Sequence, residues 1–584
     1  MTTDEKLTPN AAALQSFLLA DCGSQITTVV LFDVVDGVYR LVAYAQAPTT
    51  AGMPWLDLAL GVQQAIAEIT EITGRVLLDE KGELIRPAQA NGTGVDRFGM
   101  TTSAASPLTA VLVGLLDEVS LASARHALQS IYTLELDHFS LADQRSQQAQ
   151  VEALLAQQPD LLLIAGGTEG GADRRLLKMV ETIEVAAGLQ LLAQRPWVIF
   201  AGNSQLREQV TAILGGTVKL QMAENVRPAL NQEQLTDTMR LLGALYEDLR
   251  VAALPGVDGV LAWCDFPPLP TAQAFGGIVE YFAALYKGHV LGIDLGASSA
   301  TFVSARPGQV RLAVRSDLGT GRTLDQVWAQ QPPEWVLNWL PHEVAPLALE
   351  DFVRNKGLYP YTVPVTEEEL YLEQALARAA LQALVQGAAA SWDWNIAEGL
   401  LPPFDLLVVR GGVLSETSRP AQVLGMLLDA LQPTGVFAVA LDRYGVLPAL
   451  GALAPYEPLV PVQALEAGAL LEMGWVVVPV GQVAAGETML AVRMKSTTAG
   501  SLSIEVQAGT LEVLPLAPGV AAELTLEPHK RVDVGAGPGR ARTVTVHGGA
   551  VGLVIDARGR PLVLPEEPED RRDVVRQWLQ DMGG

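Results

Sequence analysis

The fold is decided by two stretches of one layout, LLADCGSQITTVVLF at residues 18–32 and VLGIDLGASSATFVS at residues 290–304. Each has an apolar strand, Asp-x-Gly, four further residues, a threonine and a second apolar strand. Glycine at such a turn lets the backbone approach an anion without a Cβ in the way. Successive backbone N–H groups can then line a polyphosphate. A single Asp-x-Gly is usually a plain β-turn, but two copies hundreds of residues apart favour a duplicated phosphate hairpin.

The two hairpins supply most of the candidate site residues. Asp21 and Asp294 end their strands, where a carboxylate can hold Mg²⁺ through its waters or orient an attacking water. We therefore predict both as catalytic and metal-binding residues, with Asp294 the main one. The predicted phosphate-binding residues lie in the turns and the strands that follow: Gly23, Ser24, Gln25, Thr27, Thr28, Gly296, Ala297, Ser298 and Ser299. The predicted ligands are ATP and Mg²⁺.

The composition is typical of a multidomain globular protein with an acidic surface. The chain has 584 residues, 49% apolar and 18% charged, and a formal net charge of −26. That charge disfavours nucleic acid and anionic membranes as partners. Its two cysteines, Cys22 and Cys264, exclude a disulfide framework or a cysteine-ligated cluster within one chain. No secretion signal and no membrane-spanning apolar run is recognised, so a cytoplasmic location is expected.

The pattern along the chain changes four times. Three successive strands and a helix open it, and three short strands return at residue 290. Between them, nearly continuous apolar runs alternate with helical stretches, which predicts a parallel, doubly wound α/β domain. Short runs from about residue 474 to 564, separated by Gly and Pro, predict a small β-sandwich or barrel, and a charged helix closes the chain.

The duplicated hairpin resembles the actin, sugar kinase and heat-shock chaperone ATPase superfamily. In that superfamily two ribonuclease-H-like domains each supply a phosphate hairpin, and nucleotide sits in the cleft between them. The resemblance implies a further motif, a strand followed by Gly-Gly that contacts adenosine. DLLVVRGGVLS at residues 405–415 provides it, with Gly411, Gly412 and Val413 as cofactor-binding residues. The implied hinge is the small-residue segment 449–452.

A second strand with Gly-Gly, LLLIAGGTEGG at residues 161–171, makes that motif weak by itself. Order along the chain favours residues 411–412. The loop Gly166–Gly171 would lie at the carboxyl end of a strand in the inserted domain, where open α/β sheets commonly bind ligands. A plain tight turn explains it equally well.

The predicted fold is therefore α/β, with a duplicated ribonuclease-H-like (actin-like ATPase) core, an inserted doubly wound domain and a C-terminal β-rich domain. The predicted boundaries are a flexible N-terminus at 1–16, a first half at 17–100, an inserted Rossmann- or flavodoxin-like domain at 101–286, a second half at 287–465, a β-sandwich or barrel at 466–566 and a C-terminal helix at 567–584.

Further stretches are similar to one branch, the glutamate mutase L family (GlmL or MutL). They include AQAPTT at 45–50, TTSAASPLTAVLVGL at 101–115, NKGLYPYTVPVTEEELYLEQALARAAL at 355–381 and GLVIDARGRPL at 552–562. The resemblance implies an ATP-dependent accessory protein, a reactivase or chaperone, for a coenzyme-B12-dependent carbon-skeleton mutase such as glutamate mutase. Cobalamin-dependent mutase subunits are the implied partners.

One departure from that family concerns the first hairpin. In that family the first hairpin often ends in Thr-Lys or Thr-Arg, whereas in this chain it ends in Thr27-Thr28. The missing cation weakens the case for ATP hydrolysis more than the case for ATP binding. Two alternatives stay open: a small-molecule kinase, for which no catalytic carboxylate beside a substrate pocket is recognised, and a non-hydrolysing scaffold that keeps the fold.

Overall fold

The computed structural model describes residues 15–171, 174–392, 394, 401–496 and 500–583. The predicted flexible N-terminus, residues 1–16, lies outside the described residues except for its last two. The described chain divides into two compact units. The first comprises Met1–Ala104, Leu254–Ala274 and Tyr444–Leu470, and the second comprises Ala105–Ala253, Phe275–Arg443 and Leu471–Gly584, as far as these are described.

The first stretch forms a three-strand meander, a helix and a fourth strand: β1 (Phe17–Cys22), β2 (Ile26–Val35), β3 (Val38–Pro48), α1 (Leu58–Thr73) and β4 (Arg97–Thr102). The Asp57 side chain caps α1 by accepting from the Ala59 N–H. Gly74, with φ +72°, ends the helix in the left-handed conformation that glycine adopts readily. Helix α1 packs on β2 and β3 through its apolar stripe.

The inserted segment alternates strands and helices: β5 (Leu108–Gly114), α2 (Ala122–Leu128), β6 (Thr133–Phe139), α3 (Gln147–Gln157), β7 (Leu161–Ala165), α4 (Arg174–Leu189), β8 (Trp197–Phe200), α5 (Arg207–Leu214), β9 (Lys219–Met222) and α6 (Thr236–Tyr246). Its sheet is wholly parallel, in the order β6-β5-β7-β8-β9. That is the flavodoxin-like order, and β5 and β7 are buried on both faces, as a central parallel strand requires. The predicted doubly wound domain is confirmed.

The chain then returns to the first unit through α7 (Val257–Leu261), β10 (Leu269–Pro270) and the start of α8 (Thr271–Tyr286). The first sheet has the order β10-β4-β1-β2-β3. Strands β1 to β3 are antiparallel, β4 runs parallel to β1, and β10 runs parallel to β4.

The second half repeats this plan with β11 (Val290–Leu295), β12 (Ala300–Arg306), β13 (Gln309–Arg315), α9 (Leu324–Gln330), α10 (Pro333–Leu337), α11 (Pro346–Leu358), α12 (Glu367–Ser391), β14 (Leu406–Arg410), α13 (Gly412–Glu416), α14 (Pro420–Leu431) and β15 (Gly435–Leu441). Five strands run in the order β13-β12-β11-β14-β15, the counterpart of the first sheet. Strands β14 and β15 are again parallel to the first strand of the meander. This repeated topology confirms the predicted ribonuclease-H-like duplication.

Helices α15 (Val446–Leu453) and α16 (Leu459–Glu466) belong to the first unit. The remaining elements belong to the second: β16 (Leu471–Val478), β17 (Val480–Gly481), β18 (Thr488–Ser496), β19 (Gly500–Gln507), β20 (Leu511–Leu514), β21 (Ala521–Pro528), β22 (Val532–Asp533), β23 (Arg542–His547), β24 (Gly552–Asp556) and α17 (Pro568–Asp581).

The C-terminal region is a sandwich that shares one of its layers. A four-stranded antiparallel sheet, β19-β18-β21-β23, forms one side. Strands β16, β24 and β20 extend the sheet of the second half to eight strands and form the other side. Leu490 and Leu524 of the first layer pack in one core with Val477 and Leu553 of the second. The predicted β-rich C-terminal domain is present, built partly on the existing sheet.

In the part of the chain that the structure describes, no helix is long and apolar enough to cross a lipid bilayer.

Candidate functional site

The first hairpin turn, residues 23–25, is closed by short backbone contacts. Gly23 N–H donates to the Ile26 carbonyl at 3.0 Å, and a Cβ on Gly23 would stand 2.7 Å from that oxygen. Thr49 fixes the turn from the end of β3, since its hydroxyl donates to the Gly23 carbonyl at 2.8 Å and its N–H to the Gln25 carbonyl at 2.8 Å. Thr27 Oγ1 lies 2.9 Å from Thr49 Oγ1. Glycine is therefore required at this position by the packing of the hairpin itself.

The Gln25 side chain ends in an unsatisfied donor. Its amide nitrogen Nε2 is buried and has no hydrogen-bond partner within the described residues. Leaving a buried donor unsatisfied costs about 1–3 kcal/mol, and such groups are rare in native proteins. An oxygen from a bound anion at the hairpin turn would satisfy it.

Asp21 is held by two neutral hydroxyls. Its Oδ1 accepts from Thr101 Oγ1 at 2.9 Å and from Thr271 Oγ1 at 2.7 Å, and the residue is 7% exposed. Thr101 is the register partner of Asp21 across the parallel β1–β4 pair. The threonines orient the carboxylate without adding a cation beside it.

Thr28 and the predicted hinge lie together in the first unit. Gly445, with φ +71°, precedes α15, and a Cβ there would be 3.1 Å from Thr28 Cγ2. The hinge segment 449–452 lies inside α15, where a Cβ on Gly451 would be 1.9 Å from the Ala274 carbonyl oxygen. Both glycines permit close backbone packing.

The second hairpin turn, residues 296–299, has its carbonyls directed to one side. Gly296 N–H donates to the Ser299 carbonyl at 2.9 Å. The Gly296 carbonyl accepts from Thr320 N–H and the Ala297 carbonyl from Gly321 N–H, each at 3.0 Å. A trans peptide places its C=O and N–H on opposite sides. The N–H groups of Ala297 and Ser298 therefore point away from residues 319–321, as an anion-binding turn requires.

Asp294 is paired with a cation that the motif did not predict. Its Oδ2 accepts from Arg410 Nη1 at 2.9 Å, and Arg410 Nε lies 3.8 Å from Asp442 Oδ2. The Asp442 side chain is fully buried, and those of Asp294 and Arg410 are largely buried, with 14% and 12% exposure. Arg410 is the register partner of Asp294 across β11 and β14, the position that Thr101 holds opposite Asp21. The two halves thus differ in charge at equivalent positions.

Gly411 packs against the end of β11. Its φ is +113°, and a Cβ would stand 2.1 Å from the Leu295 carbonyl oxygen. Gly412 and the largely buried Val413 begin α13 directly afterwards. The predicted adenosine motif therefore lies at the same end of the sheet as Asp294 and the second hairpin, within the second unit.

The other Gly-Gly loop, Gly166–Gly171, is braced by its neighbours. Glu169 Oε1 accepts from Asn225 Nδ2 at 2.8 Å and from the Ser204 N–H at 3.2 Å. Asn225 also donates to the Gly167 carbonyl at 3.0 Å. Burial alone would raise the pKa of Glu169, but the hydrogen bonds from Ser204 and Asn225 lower it. These contacts explain the loop as a structural turn at the carboxyl edge of the inserted sheet.

The donor set suits Mg²⁺ held through one carboxylate and its waters. In the described ranges no group of three or more His, Cys, Asp or Glu is placed to hold a metal ion. Mg²⁺ commonly takes only one or two protein carboxylates beside phosphate oxygens and water. Asp21 and Asp294, in the first and second unit respectively, each offer one at the end of a hairpin strand.

Burial raises the pKa of the Cys22 thiol, which therefore packs as a neutral side chain in the first hairpin.

Sequence reasoning missed several residues of the site: Arg410, Asp442, Thr101, Thr271 and residues 319–321, the Gly319–Gly321 brace that donates to the carbonyls of the second hairpin turn. Arg410 had a local signal, because it immediately precedes the Gly-Gly motif at the end of a strand predicted to be buried. Parallel pairing of that strand with β11 brings their carboxyl ends together. The threonines carried no signal of their own.

Comparison with known proteins identifies relatives of this chain. A family model described as MutL protein matches residues 17–468. Protein MutL of Clostridium tetanomorphum is 21% identical in an alignment of 495 residues that covers 76% of this chain and 97% of that protein.

Two solved structures show a weak similarity to this chain. Nucleotide-free acetone carboxylase is 11% identical, with 84% of this chain and 81% of that chain covered and a TM-score of 0.35. Diol dehydratase-reactivating factor in nucleotide-free form is also 11% identical, with 78% and 99% covered and a TM-score of 0.29. At these scores neither likeness bears on function.

The family match spans more than half of the chain, both hairpins and the Gly411-Gly412 strand. It also contains most of the stretches that resemble glutamate mutase L, and that resemblance is confirmed. The chain therefore belongs to the MutL protein family, the glutamate mutase L proteins.

Proposed function

We propose that the chain is an ATP-binding, ATP-hydrolysing accessory protein, a reactivase or chaperone, for a coenzyme-B12-dependent carbon-skeleton mutase such as glutamate mutase. Family membership supports the connection to the mutase. The proposal of nucleotide binding rests on the second hairpin. Its Ala297 and Ser298 N–H groups point away from residues 319–321, and Asp294, paired with Arg410, ends the strand before the turn. The unsatisfied Gln25 amide supports the same role for the first hairpin.

Arg410 gives the second hairpin a cation, whereas the first hairpin has Thr27-Thr28 where the family often has a basic residue. The Arg410 guanidinium is held by Asp294 and faces Asp442. Arg410 would donate to the phosphate oxygens of a bound polyphosphate, and the Asp294 carboxylate would hold Mg²⁺ through its waters. Bound Mg²⁺ contributes positive charge at the phosphates. A change of partner from Asp294 to a phosphate oxygen would keep the charge of the largely buried Arg410 paired, which would avoid the cost of isolating it.

Isothermal titration with ATP and Mg²⁺ tests the nucleotide part. We expect saturable binding by the wild type. Arg410→Gln removes a charged hydrogen bond of about 1.5–3 kcal/mol, so its affinity should fall about 10- to 100-fold. Arg419→Gln is the matched control, since Arg419 is an exposed arginine whose side chain donates to the Gly583 carbonyl. Equal affinities of the two variants would refute the role of Arg410, and binding without phosphate release would favour the non-hydrolysing scaffold.

Reactivation of a damaged mutase tests the partner. Glutamate mutase is loaded with cyanocobalamin, which blocks turnover, and then mixed with this protein, ATP, Mg²⁺ and adenosylcobalamin. The proposal predicts recovery of mutase activity that requires ATP and is absent with Asp294→Ala. Recovery no greater than with buffer, from a preparation that binds ATP, would contradict the accessory role and leave nucleotide binding intact.

A further inference from the structure

A cavity of about 460 Å³ opens on the second unit, away from the residues of the nucleotide site. Its wall includes the residues that lead into three parallel strands of the eight-stranded sheet, among them His289 before β11, Asp405 before β14 and Gly435 at the start of β15. The second hairpin and Gly411 lie at the opposite ends of β11 and β14. A six-residue strand is about 20 Å long, so the cavity is a separate site.

Three cationic side chains line this cavity: Lys287, Arg306 and Arg542. In the described part of the chain none of them forms an ion pair, although acidic residues outnumber basic ones by 65 to 39 in the sequence. Lys287 and Arg306 are exposed and flank β11 and β12, whereas Arg542 comes from β23 of the C-terminal region. The cations therefore reach the cavity from two parts of the second unit.

The two carboxylates in the wall are already engaged by the backbone. Asp405 Oδ2 accepts from the His289 N–H at 2.8 Å. Asp533 Oδ1 accepts from the N–H groups of Gly535, Ala536 and Gly537 at 2.7, 3.0 and 2.8 Å. These backbone donors hold both carboxylates in structural roles, and neither is bonded to one of the three cations.

The buried His289 leaves Arg306 without a good acceptor. His289 Nδ1 lies 2.8 Å from the Pro403 carbonyl and must donate to it, while Nε2 lies 2.8 Å from Ser304 Oγ and accepts from it. Arg306 Nη2 lies 3.1 Å from the same Nδ1, but one nitrogen cannot donate and accept at once. Arg542 donates to the Val534 carbonyl at 3.0 Å and lies over Gly535. Both guanidinium groups thus retain donors for a ligand.

We propose that this cavity binds a small organic dianion, with one anionic group near Lys287 and Arg306 and the other near Arg542. Guanidinium groups pair well with carboxylate and phosphate oxygens, and a cavity of this volume suits a small metabolite. A ligand that bridges the two groups of cations would tie the sheet of the second half to the C-terminal β-strands.

Isothermal titration with succinate at constant ionic strength tests the site, with acetate as the monoanion control. We expect saturable succinate binding at least tenfold tighter than acetate binding. Arg306→Gln and Arg542→Gln should each weaken it about tenfold or more, the loss expected for one charged hydrogen bond. Arg240→Gln, an exposed arginine paired with Asp237 in the inserted domain, should change nothing.

Hydrogen exchange then locates the ligand. Succinate should protect peptides that contain residues 287–289 and 533–542, and leave those of the second hairpin unchanged. Lys287→Gln removes an exposed side chain and cannot disturb the core, so its effect is free of misfolding. Absence of saturable succinate binding would overturn the proposal. So would succinate affinities of Arg306→Gln, Arg542→Gln and Lys287→Gln equal to those of the wild type and the Arg240→Gln control. ATP binding measured in the same samples is independent of either result.

Discussion

Replacing Gly411 by alanine puts a methyl group where the backbone of Leu295 already lies. A Cβ at this position would stand 2.1 Å from the Leu295 carbonyl oxygen and 2.5 Å from its carbonyl carbon. Neither atom belongs to a side chain that can move aside, so β14 and β11 must separate. The φ of +113° adds strain that only glycine avoids.

The two effects set the size of the loss. A residue held in a sparsely populated backbone region costs about 1–3 kcal/mol, and inserting atoms into a packed site costs about another 1–3 kcal/mol. We expect Gly411→Ala to destabilise the β11–β14 pairing by about 2–5 kcal/mol and to remove ATP binding, because the second hairpin follows β11 directly.

Gly412→Ala is the matched control for this change. A Cβ on Gly412 meets nothing within 4 Å, and alanine favours the helix that begins there. Hydrogen exchange of peptides covering β11 and β14, with nucleotide titration of the same samples, measures both consequences. If β11 and β14 exchange alike in the two variants, or if Gly411→Ala binds ATP as tightly as the wild type, the assignment of this strand to the nucleotide site is refuted.

Three further predictions follow from single side chains. Gln25→Leu should raise the thermal midpoint of the ligand-free protein by removing an unsatisfied buried donor, yet weaken ATP binding about 10- to 100-fold, as calorimetry can measure. Asp556→Asn should cost about 3–5 kcal/mol, because it leaves Arg560 buried without a carboxylate and Arg558 with Asp429 alone. Burial alone would raise the pKa of Asp556, but these arginines lower it. The contribution of Asp556 to the free energy of unfolding is therefore complete above about pH 4 and is lost as the pH falls below that value. Thermal midpoints measured from pH 3 to 7 should fall at the acid end in the wild type and fall less in the variant. Cys22 should escape iodoacetamide at pH 8 in the native protein and react after denaturation, as mass spectrometry reports, because it is fully buried and burial raises its thiol pKa.

Local features of the fold could be predicted from the sequence. The Asp-x-Gly turns fixed both meanders, because the residues that pair in β1–β2 and β11–β12 are close along the chain. The acidic run after Thr366 indicates a helix N-terminus, where carboxylates interact favourably with the helix dipole. It forms a capping box there, in which the Thr366 hydroxyl accepts from the Glu369 N–H and the Glu369 side chain reaches back.

Features set by distant pairing could not be predicted in this way. Arg410 reaches Asp294 only because β11 and β14, more than a hundred residues apart, pair in one register. The short apolar runs of β16 and β24 look in sequence like strands of a separate β-sandwich. They join the sheet of the second half because β16 pairs with β15 and β24 pairs with β16. Gln25 was predicted to contribute its backbone N–H group. The unsatisfied amide of its side chain depends on burial, which the sequence does not reveal.

Titration of the purified protein with ATP, in the presence and absence of Mg²⁺, against an Asp294→Asn variant tests the central claim most directly. Asparagine keeps the size of the side chain but removes the charge that pairs with Arg410 and that is proposed to hold the waters of the metal. We predict micromolar-range, Mg²⁺-dependent binding by the wild type and at least tenfold weaker binding by the variant. No detectable binding by the wild type, or binding indifferent to both the metal and Asp294, would contradict the account.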